Sequence, residues 1–279
     1  MIEITLQTGR NGRLHGRLWT SGPNANRLLI ILHGLGDHSG RYHELAGNMC
    51  KKGWHVCAFD LLGHGLSPGR RGCLDSYDGA LADLDQVRSD LSDRFPNARQ
   101  VLMGHSMGGN LAVNYALRWD EFSECEEPLD RLVLSGPVIL PRESPPRPMI
   151  LGAWLTGYIL RWISIRKPVS GKQLSADDDR VAKIKNDPLM HSRISVYLAT
   201  QILSQGRWAL DNARELNLPT LIMFGENDTL IDTTACEHLA IRVGENATTM
   251  KWPEMRHDLF QDVGRDQVIA ALVNWLENC

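Results

Sequence analysis

Residues 104–109 read Gly-His-Ser-Met-Gly-Gly, a serine between glycines that follows the apolar run 100–104 (QVLMG) and precedes a stretch of helical spacing. A serine on a tight strand-to-helix turn exposes its hydroxyl, and the backbones passing beside it leave no room for side chains, which suits Gly104 and Gly108. The chemistry this suggests is nucleophilic attack by Ser106. A serine hydroxyl is a weak nucleophile at neutral pH, so it needs a base beside it and an acid that orients the base. Candidates lie downstream in the order acid, then base. Residues 224–232 (FGENDTLID) place Glu226, Asp228 and Asp232 just past an apolar run, and residues 253–258 (PEMRHD) place His257 beside Asp258. Asp228 is far enough past Phe224 to lie in the loop, whereas Asp232 reads as the cap of a helix starting near Thr233. Asp228 is therefore the expected acid. Negative charge developing on a substrate oxygen needs backbone donors. The glycine turn His33-Gly34-Leu35-Gly36 offers the amide of Leu35, and the residue after the serine offers the amide of Met107.

Residues so far apart in sequence can meet only if regular elements gather them. Short apolar runs at 27–33 (RLLIILH), 55–59 (HVCAF), 100–104, 131–135 (RLVLS), 220–225 (TLIMFG) and 248–252 read as strands. Helical spacing at 42–52, 77–94 and 111–119 lies between them, and a β-α-β-α order implies a mostly parallel sheet covered on both faces. Alternation at 2–6 and 14–18 predicts half-exposed antiparallel strands at a sheet edge. The rhythm breaks at residues 141–148 (PRESPPRP), too proline-rich for a helix or a central strand. Residues 141–215 are thus expected to form a cap (lid), and residues 1–140 and 216–279 the core. Residues 149–162 (MILGAWLTGYILRW) are apolar almost throughout but reach only about two-thirds of the length that spans a bilayer. Trp154, Tyr158 and Trp162, spaced by four, would share one helix stripe, which suits a lipid-facing lid and a packed cap interior equally. Asp177, Asp178 and Asp179 read as the start of a helix, favoured by its dipole, and not as a cation cage.

The 279 residues are 43% hydrophobic and 23% charged with a net charge of -3, ordinary for a globular chain. That balance gives no basic field for nucleic acid. The first residues lack a positive region followed by an apolar one, so a cytoplasmic location is expected, with room for peripheral association with membranes through the cap. The six cysteines show no framework spacing and are expected to be free thiols. No ligand spacing suggests a metal, and no cofactor is expected. His33, His64 and His105 precede the last strand, so they are expected to fix loops and not to act as the base.

The motifs HGLGDHSGRY (33–42), FDLLGHGLS (59–67), GHSMGG (104–109), LSGP (134–137), NDPL (186–189), GENDTLID (225–232) and HDLF (257–260) resemble, in order, those of the monoacylglycerol lipases and lysophospholipases of the α/β-hydrolase superfamily. The resemblance spans nearly the whole chain and is weakest in the early cap. It implies an α/β-hydrolase fold with an eight-stranded, mostly parallel sheet, helices on both faces and an inserted helical cap. It carries the triad onto Ser106, Asp228 and His257. It also implies carboxylic ester hydrolysis through an acyl-enzyme, with a small-molecule lipid ester, a monoacylglycerol or a lysophospholipid, as substrate. Where many relatives carry arginine before Gly63, this chain has Leu62. A scaffold does not fix a reaction. Ser106 excludes the relatives that use a carboxylate nucleophile; a short-chain carboxylesterase, a thioesterase or a peptidase would use the same triad, and a silent lipid-binding module would keep the pocket. Oligomeric state is not legible.

Overall fold

In chain order the strands are β1 (Ile2–Thr8), β2 (Gly12–Trp19), β3 (Arg27–Leu32), β4 (His55–Phe59), β5 (Arg99–His105), β6 (Leu129–Ser135), β7 (Ser164–Arg166), β8 (Arg193–Ser195), β9 (Thr220–Gly225) and β10 (Ala247–Trp252). This computed structural model describes residues 1–9, 12–122, 124–143 and 161–278. Eight strands form one sheet in the order β1-β2-β4-β3-β5-β6-β9-β10, while β7 and β8 pair apart as a short antiparallel ribbon. The pairs β1–β2 and β2–β4 are antiparallel and every other pair in the large sheet is parallel. The half-exposed strands expected at the start of the chain thus form one edge, and the buried apolar runs fill the middle.

Each central strand sends alternate side chains to opposite faces, as a period of two requires. Leu28, Ile30 and Leu32 of β3 join one apolar cluster, and Leu29 and Ile31 join the other. Helices cover both. The first face carries α2 (Tyr77–Arg94) and α3 (Met107–Leu117), and the second carries α1 (His43–Lys51) and, at the chain's end, α8 (Arg265–Asn278). Residues 161–215 hold β7, α4 (Gly171–Leu174), α5 (Asp178–Asn186), β8 and α6 (Val196–Asn212). Of these, α6 puts Leu198, Ile202 and Ala209 into the first cluster, beside α7 (Thr233–Val243). The segment expected as a cap therefore contributes to the core as well.

Local chemistry explains several boundaries. Asp177 caps α5 through its carboxylate, with Asp178 and Asp179 in the first turn, and Asp232 caps α7 in the same way. Two expectations need correction. The helix read at 111–119 begins at Met107 and ends at Leu117, because it must start directly behind Ser106 despite two poor helix formers there. Trp162 lies in a turn before β7, 39% exposed, so it does not extend a helix stripe; Trp154 and Tyr158 lie outside the described residues. Among the described residues no helix is long and apolar enough to cross a membrane.

Candidate active site

Parallel strands end at one edge, and the loops leaving that edge converge. Ser106 follows β5 with φ 54° and ψ −116°, the only positive φ outside glycine among the described residues. Such a conformation costs on the order of 1–3 kcal/mol and persists only where the surroundings fix it. Here the Ser106 amide donates to Ser135 O at 3.0 Å, and its carbonyl accepts from the amides of Asn110 and Val138, each at 3.1 Å. A Cβ at Gly104 would sit 2.3 Å from Gly108 O, and one at Gly108 would sit 2.3 Å from Leu32 O. Both positions therefore require glycine, and the turn is locked against the end of β3.

The Ser106 hydroxyl lies 2.8 Å from His257 Nε2, and His257 Nδ1 lies 2.6 Å from Asp228 Oδ2. The other oxygen of Asp228 accepts from the amides of Leu230 at 2.7 Å and Ile231 at 3.3 Å. Burial alone would raise the Asp228 carboxyl, but the neighbouring His257 charge and these hydrogen bonds hold it below the ordinary carboxylate range. Burial would depress the His257 imidazole; Asp228, with Asp258 and Asp37 behind it, raises it above its ordinary value instead. The competing acids are occupied or remote. Asp258 accepts from Arg41 at 2.7 Å, Asp232 caps α7, and Glu226 is exposed. Among the described residues, Asp228 is the carboxylate that bonds His257.

Gly34 touches the serine turn, since a Cβ there would lie 3.1 Å from Ser106 Cβ. The turn from Gly34 to Asp37 closes through Asp37 N–H to Gly34 O at 3.2 Å, with Gly36 at φ +73°. That bond leaves the Leu35 amide uninvolved. The Met107 amide opens α3, where no intrahelical acceptor exists for it. Both residues line the pocket into which Ser106 opens. His33 Nδ1 bonds Gly34 O at 2.8 Å while its Nε2 accepts from Leu61 N at 3.0 Å, tying this turn to the next loop. His64 bonds Leu62 O and His105 bonds Ser135 O. All three are loop-fixing contacts.

Several contacts had no sequence signal beyond local spacing. Arg41 bridges Asp37 at 3.0 Å and Asp258 at 2.7 Å, so one guanidinium joins the Gly34 turn to the His257 loop. His38 Nε2 bonds Asp187 at 2.9 Å, and the His191 amide donates to Gly36 O at 3.0 Å, so residues 187–191 press on the same turn. Leu62 packs partly buried against the core. The pocket encloses about 710 Å³, within the roughly 300–1,000 Å³ typical of small-molecule sites. Leu35, Val138, Ile194, Ile202, Leu203 and Leu230 give it apolar walls beside Ser106 and His257. Among the described residues no group of side chains is placed to hold a metal ion, and Cys50, Cys57, Cys73, Cys125 and Cys236 are free thiols.

Comparison with known proteins bears on this arrangement. Residues 23–264 match the family model Hydrolase_4, described as serine aminopeptidase, S33. A monoacylglycerol lipase of Mycolicibacterium smegmatis is 26% identical over 262 residues, 93% of this chain and 91% of that protein. An uncharacterized abhydrolase domain-containing protein of Dictyostelium discoideum is 28% identical over 275 residues, 98% of this chain but 28% of that longer protein. The crystal structure of Paleococcus ferrophilus monoacylglycerol lipase superposes with a TM-score of 0.84 at 28% identity, over 94% of this chain and 98% of that one.

Proposed function

The chain belongs to the Hydrolase_4 (serine aminopeptidase, S33) family of α/β-hydrolase enzymes, and from that premise we propose that it cleaves carboxylic esters of single fatty acyl chains, monoacylglycerols or lysophospholipids, through an acyl-enzyme on Ser106. What carries this is the unbroken pair of hydrogen bonds from Ser106 through His257 to Asp228. In the first half-reaction His257 Nε2 takes the Ser106 proton as the oxygen attacks the ester carbonyl. The carbonyl electron pair moves onto oxygen, where the amides of Leu35 and Met107 receive it. Collapse of that adduct expels the alcohol, which takes the proton from His257. Water then gives its proton to His257 and attacks the acyl-enzyme. The fatty acid leaves, and Ser106 recovers its proton.

The family description names a peptidase, so the pocket must be weighed for one. An aminopeptidase has to hold a substrate ammonium, and of the carboxylates lining this pocket Asp37 is paired with Arg41 and Asp187 is hydrogen-bonded to His38, which leaves the exposed Glu143 against three lining lysines, Lys167, Lys172 and Lys185. Its apolar walls suit an acyl chain instead, in keeping with the two monoacylglycerol lipases that the chain resembles. In the same reading the described residues 161–215 of the cap lie over the site, and exposed Trp162, Ile163 and Ile165 offer the cap a transient hold on a membrane surface. Ser106→Ala should abolish p-nitrophenyl butyrate turnover with an unchanged circular dichroism spectrum; near-normal turnover would end the proposal. A monoacylglycerol series run against aminoacyl amides tests the substrate class, and a preference for the amides would overturn the lipid assignment.

A further inference from the structure

The pocket's lining combines apolar walls with exposed lysines, which we take as its rim. Lys167 follows β7, Lys172 lies in α4 and Lys185 in the last turn of α5, yet all three line the same pocket as Ser106. All three are exposed, and among the described residues none has a carboxylate within ion-pair reach. A run of lysines along one helix would be an ordinary solvated face. Lysines from three separate elements around one opening are a different matter. The C-terminal dipole of α5 favours Lys185 where it stands, and Lys172 lies in the last turn of the short α4, but Lys167 has no such cause. Lining carboxylates offset them only in part: Asp37 is paired with Arg41, while Asp187, hydrogen-bonded to His38, and Glu143 set two acidic groups against three lysines. This excess of positive charge runs against a chain whose net charge is -3.

We infer that the rim selects the head group. The preferred substrate is a single-chain glycerolipid whose head carries a net negative phosphate, an anionic lysophospholipid, over a neutral monoacylglycerol. Its acyl chain occupies the apolar interior while the phosphate sits among the three ammonium groups. This inference rests on the ester-hydrolase reading of Ser106 and refines it. The site is open to water, so the charges act through a high dielectric and salt weakens them. Exposed ion pairs of this kind change affinity about twofold to fivefold each.

The test measures one ratio, kcat/KM for lysophosphatidylglycerol over kcat/KM for monoacylglycerol of the same chain length. Both are supplied below their aggregation concentrations, so no membrane surface contributes. The intact protein should favour the anionic lipid about tenfold at low salt, and the ratio should shrink toward one in 1 M salt, where the screening length is about 3 Å. Lys167→Gln, Lys172→Gln and Lys185→Gln should each lower the ratio about threefold, chiefly through KM. Because the ratio is taken within one variant, partial loss of folded protein cancels. A ratio near one in the intact protein, or one that the substitutions leave unmoved, overturns the head-group assignment while the ester-hydrolase reading stands. If neither lipid is cleaved, both fall. Zwitterionic lysophosphatidylcholine should sit between the two; parity with the anionic lipid would show that net charge is not what the rim reads.

Discussion

Gly36→Ala isolates the contact between the cap segment and the turn that we assign to the oxyanion. Gly36 has φ +73°, and a Cβ there would lie 1.9 Å from His191 O, the carbonyl of the residue whose amide donates to Gly36 O at 3.0 Å. An alanine pays about 1–2 kcal/mol for the left-handed backbone. The clash must also part the two chains, and loss of their hydrogen bond adds about 0.5–1.5 kcal/mol. Together these give roughly 2–3 kcal/mol, or a fall of about 3–5 °C in Tm for a chain of this length. The same displacement carries the Leu35 amide away from the reacting oxygen, and loss of one such donor costs about a hundred- to a thousandfold in kcat. KM should change less than kcat, because of the apolar walls only Leu35 belongs to this turn. Thermal melts by circular dichroism and steady-state hydrolysis of p-nitrophenyl butyrate measure the two effects separately. Gly47→Ala in α1 is the control: nothing lies within 4 Å of its Cβ, so alanine should leave kcat alone and stabilise by about 0.5–1 kcal/mol. A Gly36→Ala protein with Tm within about 1 °C and kcat within about threefold of the parent would refute both the rigidity of the contact and the role given to Leu35.

Asp228→Asn leaves the shape but removes the charge that orients His257, so kcat should fall about ten-thousandfold with Tm little changed; a loss under tenfold would point to another acid. The pH profile of kcat/KM should rise with pH, because His257 must be neutral to accept a proton. Since Asp228 raises its pKa, that acid limb should lie above 6.5, and a limb below 6.5 would contradict the site's charge arrangement. Arg41→Leu leaves Asp37 and Asp258 buried without their cation, which should cost about 3–5 kcal/mol and lower Tm by roughly 5–8 °C. Chemical denaturation at pH 7 would show it, and an unchanged midpoint would mean that both carboxylates find other partners.

How much of the fold and the site is legible in the sequence is decided by range. The bounds of β4, β9 and α2 were legible to the residue, because each is a clean apolar or periodic run between punctuating residues. The start of α3 was not. Gly108 and Gly109 weaken the helical pattern, and only the approach of Gly108 to Leu32 O explains why glycines open a helix. β7 and β8 are three residues each, too short for any period to register. In the site, Ser106 was legible from a local motif, and Asp228 and His257 from their order after successive strands. Arg41 with Asp258, and Gly36 with His191, have partners more than a hundred and fifty residues away. No local pattern encodes such pairs, although Asp37 and Arg41 are four apart and could have suggested a bridge.

Burial treats the histidines of this edge alike, and their partners then separate them. Desolvation depresses His33, His64 and His105, and brings His191 down to about 4, so each is neutral at physiological pH. Neutrality matters structurally. His33 can accept from Leu61 N and donate to Gly34 O only as one neutral tautomer. Protonation would turn its acceptor nitrogen into a donor facing an amide, and the link between the two loops would open. His257 is equally buried, but its Nδ1 faces a carboxylate instead of a carbonyl, and two more carboxylates lie behind it, so its imidazolium is the one that this edge stabilises. A general base has to carry a proton during the reaction and release it afterwards. Among these imidazoles, that requirement is met where the compensating charge has been placed, and it has been placed beside His257.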